Sequence, residues 1–219
     1  MKAAKHTGKA AMVADKDRLI VLAAREHFLR DGFAVASMDA IARSAGVSVK
    51  TIYGHFTNKD ELFSKVMIEA CTDHLLSGEL PSGEALGKRF PWFGKATRRG
   101  LAEAGREYLG HLLSEEQLAL YRVVTRDADR FPELGKQYQK NFARGRTGIL
   151  VAHLRSIARQ KSLTQRNPEQ DGALYEALLR AGIYEEVLHG LTVAGEELIA
   201  GQAESAAGTM WKLLTAATG

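Results

Sequence analysis

The chain has 219 residues, of which 45% are hydrophobic and 26% charged, as is usual for a globular protein. No apolar run reaches the roughly 18–20 residues of a membrane-spanning helix, and the basic N-terminus lacks the apolar core of a secretory signal, so we expect no membrane contact. A single cysteine excludes a disulfide framework within the chain and favours the reducing cytoplasm, while 4 prolines and much alanine and leucine favour an all-α fold.

The positive charge is concentrated at one end of the chain. Residues 1–65 contain 11 lysines and arginines against 7 acidic residues, whereas basic and acidic residues balance in the rest. A surface that contacts nucleic-acid phosphates requires such an excess. Residues 1–15 are predicted to form a flexible basic arm, which either contacts DNA or is a solvated tail. A first helix should then run from about residue 15 to a glycine cap at Gly32.

The next two helices are short and lie close together in the sequence. Ser37 is suited to cap the second helix, whose apolar residues recur at helical spacing. Gly46 then ends that helix, and Ser48 caps the third, which carries Ile52 and Phe56 inward. Two helices joined by a glycine-containing turn of about four residues are the helix-turn-helix pattern, whose second helix enters the DNA major groove. Residues 16–62 are therefore predicted to form a DNA-binding domain.

The first residues of the third helix are placed to meet the bases. We expect Val49 to contact a thymine methyl group, Lys50 to reach a guanine or a phosphate, and Thr51 to bond a base or the DNA backbone. Gly54 has no side chain, so the DNA can approach the protein backbone closely at that position.

Residues 18–67, and above all the run AGVSVKTIYGHFTNKDELF, closely resemble the N-terminal domain of the TetR family of transcriptional regulators. The resemblance implies that Ser37, Tyr53 and His55 contact DNA phosphates, and that Lys59 and the N-terminus of its helix clasp a further phosphate. For Tyr53 the alternative is a core aromatic ring with its hydroxyl at the surface. The segments EEQLALYRVV and RFPELGKQY are similar to the AefR-like subgroup of the family.

Residues 63–219 are predicted to form a larger helical ligand-binding and dimerisation domain. Glycines and prolines between 78 and 87 should break the chain, and helices are expected at about 95–113, after Ser114, from Pro132 to Ile157, at 169–189 and at 195–217. The last two carry small residues and could form either the core of one chain or an interface between two. One short recognition helix makes few base contacts, so we expect a homodimer through residues 169–217.

Six residues of the second domain suit an amphipathic organic effector. They are Trp92, Phe93, His111, Tyr121, Arg122 and Phe131. The alternative is that the aromatic residues belong to the core and that Arg122 lies on the surface. The family resemblance implies that a small ligand changes the geometry of the dimer. The chain is therefore expected to be a ligand-responsive repressor that binds a palindromic operator as a dimer.

Sequence motifs of catalysis and metal binding are missing. No two of the seven histidines lie three or four residues apart, and the sequence contains no GxSxG, P-loop or GxGxxG pattern. We therefore expect no metal, no cofactor and no enzymatic activity. The remaining alternative is a helical protein that binds a small molecule or a protein partner and whose DNA headpiece no longer functions.

Overall fold

The computed structural model describes residues 3–72, 82–140, 144–163 and 166–216. Every regular element in these ranges is helical, which confirms the expected all-α fold. In chain order the helices are α1 (Ala3–Asp31), α2 (Met38–Ser44), α3 (Val49–His55), α4 (Lys59–Thr72), α5 (Gly83–Arg89), α6 (Arg98–Leu112), α7 (Glu115–Asp127), α8 (Pro132–Tyr138), α9 (Arg144–Gln160), α10 (Pro168–Arg180), α11 (Ile183–Leu188) and α12 (Glu196–Ala216). None of these helices is both long and apolar enough to cross a membrane.

The chain forms two compact units. The headpiece comprises residues 1–73 together with 119–141, and the body comprises residues 74–118 together with 142–219. The headpiece thus includes a second stretch of sequence in addition to its N-terminal helices. The boundaries predicted from the sequence, with domains at 16–62 and 63–219, remain predictions.

The start of the first helix was predicted incorrectly. The backbone of α1 is already helical from Ala3, so the helix extends through most of the segment predicted as a flexible arm. This segment is rich in alanine and lysine, both strong helix formers, and it contains no proline. Residues 1 and 2 lie outside the described residues, as do the side chains of residues 3–14.

The headpiece core is built around three phenylalanines from three segments of the chain. The ring centroids of Phe28, Phe33 and Phe63 lie 5.1–5.7 Å apart, and all three side chains are almost fully buried. Such contacts between rings add to the stabilisation from burial. Leu62 and Val66 of α4 are also buried. Helices α1 and α4 therefore form the frame that carries α2 and α3.

In the body, α6 packs against α12, and α9 packs against α10. Gly105 of α6 permits the close approach, because a Cβ there would lie 2.7 Å from both Leu179 Cδ2 and Tyr175 Oη. The buried Tyr175 donates its hydroxyl to the Leu101 carbonyl at 2.7 Å. Burial raises the pKa of Tyr175, which keeps the hydroxyl protonated as a donor.

Two features of the body differ from the sequence prediction. The helix predicted at 169–189 is two helices, α10 and α11, because Gly182 has a φ of +82° that interrupts the helical path. Helices α8 and α9 span the helix predicted from Pro132 to Ile157, and residues 141–143 between them lie outside the described residues, so the continuity of this helix remains a prediction. The predicted break after α4 contains α5, whose N-cap is Ser82, while Gly78 and Pro81 lie outside the described residues.

Candidate nucleic-acid interface

The helix-turn-helix has the caps that the sequence predicted. The hydroxyl of Ser37 accepts a hydrogen bond from the Ala40 amide at 3.2 Å, and that of Ser48 accepts one from the Thr51 amide at 3.0 Å. Gly46 adopts a φ of +66° after α2, a conformation that glycine enters without strain. These local interactions fix where α2 ends and where α3 begins.

One face of α3 is buried and the opposite face is open. Ile52 is fully buried and Phe56, which follows the helix, is 6% exposed. Val49 and Tyr53 are 41% and 53% exposed, and Lys50 is also at the surface. Tyr53 is therefore not a core aromatic. The three exposed side chains form a surface that mixes apolar, cationic and hydroxyl groups, as base and phosphate recognition requires.

Thr51 and His55 are less accessible than the other predicted contact residues. The Thr51 hydroxyl lies 2.7 Å from the Ser48 hydroxyl, so it takes part in the cap of its own helix. His55 Nδ1 pairs with a carboxylate oxygen of Asp17 in α1, and the His55 side chain is 15% exposed. This pair fastens the C-terminal end of α3 to α1, a contact that spacing within α3 does not predict.

A second histidine joins α1 to α2. His27 Nε2 lies 2.8 Å from the Ser44 hydroxyl, and its Nδ1 lies 3.2 Å from Asp31 Oδ2. The Arg30 guanidinium hydrogen-bonds to Asp31 and holds the pKa of that carboxyl down at about 2. Helix α2 is thus tied to α1 by a polar contact as well as by its buried apolar face.

The N-terminus of α4 is capped by side chains. The side-chain oxygen of Asn58 accepts a hydrogen bond from the Glu61 amide at 2.8 Å. The Glu61 carboxylate in turn accepts one from the Thr57 amide at 2.7 Å. This reciprocal arrangement differs from a standard capping box in two ways: the N-cap residue is an asparagine, and the glutamate reaches one residue further back.

Lys59 has its ammonium group on the turn that connects α1 to α2. Its Nζ donates to the carbonyl oxygens of Phe33 at 2.6 Å and Ala36 at 2.9 Å, and it lies 4.5 Å from the centroid of the Phe33 ring. Burial of the ammonium lowers the pKa of Lys59, while the nearby carboxylates of Asp60 and Asp127 act in the opposite direction. The phosphate contact implied for Lys59 by resemblance remains a prediction.

Asp127 is a headpiece residue that the sequence analysis missed. It lies at the end of α7 and is 6% exposed, and its Oδ2 accepts hydrogen bonds from the amides of Phe33 at 2.8 Å and Ala34 at 3.2 Å. The neighbouring Arg126 places its guanidinium against Gly32, where a Cβ would overlap it. No local pattern indicates these contacts, because Phe33 and Asp127 are separated by 94 residues.

The six candidate effector contacts divide between the two units. Trp92 and His111 are buried in the body, and the half-buried Phe93 has its ring centroid 6.2 Å from that of Trp92. Trp92 donates its indole N–H to Glu107 at 2.7 Å. Tyr121, Arg122 and Phe131 belong to the headpiece unit. There Phe131 packs edge-on against Phe33 at 4.9 Å, and Tyr121 lies 5.6 Å from Tyr138. Arg122 is exposed. An effector site formed by these residues remains a prediction.

Within the described part of the chain, no group of three or more histidine, cysteine, aspartate or glutamate side chains is placed to hold a metal ion.

Two protein families match the sequence. The family described as bacterial regulatory proteins, tetR family, matches residues 20–66. The AefR-like transcriptional repressor, C-terminal domain, matches residues 99–213, which is more than half of the chain. The two matches cover the helix-turn-helix and most of the helices that follow it.

Curated relatives are similar over the N-terminal part of the chain. The uncharacterized HTH-type transcriptional regulator YhgD of Bacillus subtilis is 40% identical over 55 residues, 25% of this chain and 29% of YhgD. The HTH-type transcriptional activator FasR of Mycolicibacterium smegmatis is 42% identical over 59 residues, 27% of this chain and 26% of FasR. The chain therefore spans less than a third of the length of the curated relatives it matches.

Solved structures are similar over most of the chain. A TetR-family transcriptional regulator from Mesorhizobium loti has a TM-score of 0.74 at 24% identity, over 92% of this chain and 97% of its own. The flavonoid-responsive regulator FrrA has a TM-score of 0.72 at 25% identity, over 91% and 97%. NalD, the secondary repressor of the MexAB-OprM multidrug efflux pump in Pseudomonas aeruginosa, has a TM-score of 0.59 at 22% identity, over 91% and 96%.

Proposed function

The chain belongs to the TetR family of bacterial transcriptional regulators, and from this premise we propose that it is a ligand-responsive repressor that binds a palindromic operator as a homodimer. Members of this family bind DNA and are not enzymes. The proposal extends this general function to the form of the operator, the number of chains that bind it and the sign of the regulation. We also propose that the protein acts in the cytoplasm.

The observation that carries the proposal is the open face of α3. Val49, Lys50 and Tyr53 are exposed there, on a helix anchored by the buried Ile52. We assign a base contact to Val49, a guanine or phosphate contact to Lys50 and a phosphate contact to Tyr53, because the N-terminal residues of a recognition helix reach base edges and the neighbouring phosphates. The anchored helix presents these side chains in one orientation, which limits the entropy lost on binding.

Ser37, Thr51 and His55 are assigned contacts at the edge of the same surface. Ser37 is exposed, and its hydroxyl, which accepts from the Ala40 amide, keeps its own proton for a phosphate oxygen. The hydroxyl of Thr51 and the ring of His55 are already fixed by Ser48 and Asp17. We therefore expect these two residues to set the register of the protein on DNA, with less effect on base choice.

Helices α10 and α12 support a homodimer. Both bury one side in the body, yet Leu174 in α10 and Leu198 and Leu213 in α12 are 37–42% exposed. Exposed apolar residues on two neighbouring helices are typical of an interface with another chain. In such a dimer we expect the two recognition helices to enter successive major grooves, about 34–36 Å apart.

The body is the proposed site of the effector. Trp92, Phe93 and His111 combine aromatic surface with a polar group, which suits an amphipathic aromatic molecule. The likeness to FrrA, whose name describes it as flavonoid-responsive, supports an aromatic effector of this kind. Such a molecule regulates only if it binds one of two dimer geometries more tightly than the other.

The test is operator binding by the full-length protein. Fluorescence anisotropy on the DNA upstream of its own gene, with scrambled competitor and a salt series, should show tight binding by two chains per palindrome. Lys50→Ala should weaken binding and reduce the salt slope by about 1, whereas the control Lys88→Ala, an exposed lysine of α5, should change neither. Sequence-independent binding both to this DNA and to a genomic library would contradict the proposal. It would indicate a helical protein that binds a small molecule or a protein partner and whose headpiece no longer recognises DNA.

A further inference from the structure

We propose that Asp127, the last residue of α7, is a positioning residue of the DNA-binding surface: it holds the turn between α1 and α2, and through that turn the N-terminus of α2 at Ser37. This inference rests on the DNA-binding function proposed above, and it adds to that function a residue from the second stretch of the headpiece. Asp127 makes no contact with DNA in this role, because its effect passes through the backbone that precedes Ser37.

The carboxylate of Asp127 is bound to the backbone of the turn. Its Oδ2 atom accepts hydrogen bonds from the Phe33 amide at 2.8 Å and from the Ala34 amide at 3.2 Å, and the residue is almost fully buried. Neither amide belongs to a helix, since α1 ends at Asp31 and α2 begins at Met38. A backbone N–H group that is shielded from water needs a partner, and a single carboxylate oxygen serves both amides here.

Two neighbours of Asp127 contact the same turn. The guanidinium of Arg126 lies against Gly32, where a Cβ would be 1.0 Å from its Nη2 atom. The ring of Phe131 packs edge-on against that of Phe33, with 4.9 Å between the centroids. Because the Phe131 amide donates to the Asp127 carbonyl at 2.9 Å, the carboxylate and this ring are held in a fixed relation to each other. The end of α7 thus contacts the turn at its backbone and at its ring.

The turn leads directly into α2. The Ala36 amide donates to the Gly32 carbonyl at 3.1 Å, which closes the turn immediately before Ser37. The Ser37 hydroxyl then accepts from the Ala40 amide in the first turn of α2, and α2 packs against the recognition helix α3. A displacement of the turn therefore moves Ser37, the start of α2 and the helix that α2 supports.

The negative charge of Asp127 makes its positioning role distinguishable from a direct effect on DNA. A carboxylate repels phosphate, so its removal should by itself strengthen the binding of DNA of any sequence. A displaced turn should instead weaken binding to the operator. The two effects have opposite signs, so a loss of operator affinity on removal of Asp127 cannot come from this repulsion.

A second route by which the charge could act runs through Lys59. Its ammonium donates to the Phe33 and Ala36 carbonyls of the same turn. Burial lowers the pKa of Lys59, and the Asp127 carboxylate is one of two that oppose this change. Asp127→Asn separates the two routes, because it removes the charge and keeps an acceptor oxygen for the amides.

The experiment compares Asp127→Ala, Asp127→Asn, Ser37→Ala and the Asp127→Ala/Ser37→Ala double variant in the full-length protein. Anisotropy is measured on the operator duplex and on scrambled DNA, well below the melting temperature of each variant. The matched control is Asp129→Ala, which removes an exposed carboxylate two residues further along the chain.

Asp127→Ala should bind the operator about fivefold more weakly, as expected when one hydrogen bond to the operator is lost, and should bind scrambled DNA no more weakly than wild type. Asp127→Asn should bind the operator more tightly than Asp127→Ala, and Asp129→Ala should lose no operator affinity. Ser37→Ala should cost less in the Asp127→Ala background than in the wild type, because the two residues are coupled.

The inference is overturned if Asp127→Ala binds the operator as tightly as wild type or loses equal affinity for both DNAs. It is also overturned if Asp127→Asn is as weak as Asp127→Ala, or if the effects of the Asp127 and Ser37 changes are additive. Should Asp127→Ala be unfolded at the assay temperature, Asp127→Ser, whose short hydroxyl cannot reach both amides, takes its place.

A second measurement is independent of DNA. Hydrogen exchange followed by NMR in the free protein should be about tenfold faster at the Phe33 and Ala34 amides in Asp127→Ala than in wild type, and unchanged at the Leu113 amide of the body. Unchanged exchange at Phe33 and Ala34 would contradict the inference. Wild-type protein that does not distinguish the operator from scrambled DNA would instead refute the proposed function, whatever the exchange rates.

Discussion

His55 of the recognition helix forms an ion pair or hydrogen bond through Nδ1 with Asp17 of α1, 38 residues earlier in the chain. An acidic side chain thus lies beside a surface whose proposed ligand is an anion. Its benefit is geometric, because the pair fixes the histidine ring and the end of α3 to the helix that frames the headpiece. Its electrostatic effect on the approach of DNA is unfavourable.

These opposing effects predict the behaviour of Asp17→Ala. Without the carboxylate, DNA of any sequence should be attracted more strongly, while the freed His55 ring fits the operator less well. The ratio of operator affinity to scrambled-DNA affinity should fall about threefold, with only a small change in stability because the pair is partly exposed. Competition anisotropy measures this ratio. The matched control is Asp15→Ala, an exposed acid on the same helix, and an equal fall in both variants would mean that charge alone matters.

Gly54→Ala should change the stability of the headpiece and its affinity for the operator in opposite directions. A Cβ at Gly54 meets no atom within 4 Å in the free protein, so the variant should be more stable by about 0.5–1 kcal/mol. Operator affinity should nevertheless fall, because we expect the DNA to come close to the backbone at Gly54. Gly87→Ala in α5 also meets no atom within 4 Å and should gain stability without losing affinity. Unchanged operator binding by Gly54→Ala would contradict the close approach.

Gly105→Ala tests the contact of α6 with α10 and α12. The added methyl group would press on Leu179 and Tyr175, and such overpacking costs about 1–3 kcal/mol. Gly110→Ala on the same helix meets no atom within 4 Å and should instead stabilise the protein by about 0.5–1 kcal/mol. Urea unfolding of both variants gives the comparison, and a stabilised Gly105→Ala would show that these helices can separate at little cost.

His153 predicts a pH dependence of stability. It is fully buried, its Nδ1 accepts from the Gly94 amide at 3.1 Å, and burial lowers its pKa to about 4. The unfolded chain, with an ordinary histidine pKa near 6.5, binds more protons than the folded chain between these two values. The neutral ring therefore contributes its full stabilisation above about pH 6.5. As the pH falls from 6.5 towards 4, the free energy of unfolding should decrease by up to about 3 kcal/mol.

His153→Asn removes the titrating ring but keeps an acceptor for the Gly94 amide. Unfolding free energies measured between pH 4.5 and 7.5 should fall less steeply with decreasing pH in this variant than in the wild type. His189→Asn, at an exposed position, controls for the exchange of residue type. Identical pH profiles for His153→Asn and wild type would contradict the assignment.

Local signals were sufficient to predict the helix-turn-helix. Ser37 and Ser48 cap their helices, Gly46 takes the left-handed conformation, and Ile52 and Phe56 are buried, all as the sequence indicated. Each of these features depends on residues within a few positions of one another. Caps, turns and helical periodicity are short-range effects, so a single sequence reveals them.

The contacts that hold the helices together could not be predicted in this way. The Asp127 cap on the Phe33 amide and the Asp17 pair with His55 join residues far apart in the chain, and no spacing rule connects them. The family resemblance implies a phosphate contact for Lys59, but the hydrogen bonds of its ammonium to the Phe33 and Ala36 carbonyls join residues 26 and 23 positions apart, and no local pattern indicates them. The break at Gly182 was missed because an isolated glycine is compatible with a continuing helix.

The Asp127 contacts also bear on how the headpiece can be isolated. A fragment that ends with α4 contains the whole helix-turn-helix but lacks the carboxylate that caps Phe33 and Ala34 and the arginine that covers Gly32. In such a fragment the Phe33 and Ala34 amides would lose their charged partner and would have to bind water instead. The DNA-binding unit of this chain is therefore encoded in two separate stretches of sequence. A fragment truncated at the end of α4 should bind DNA more weakly than the full-length protein.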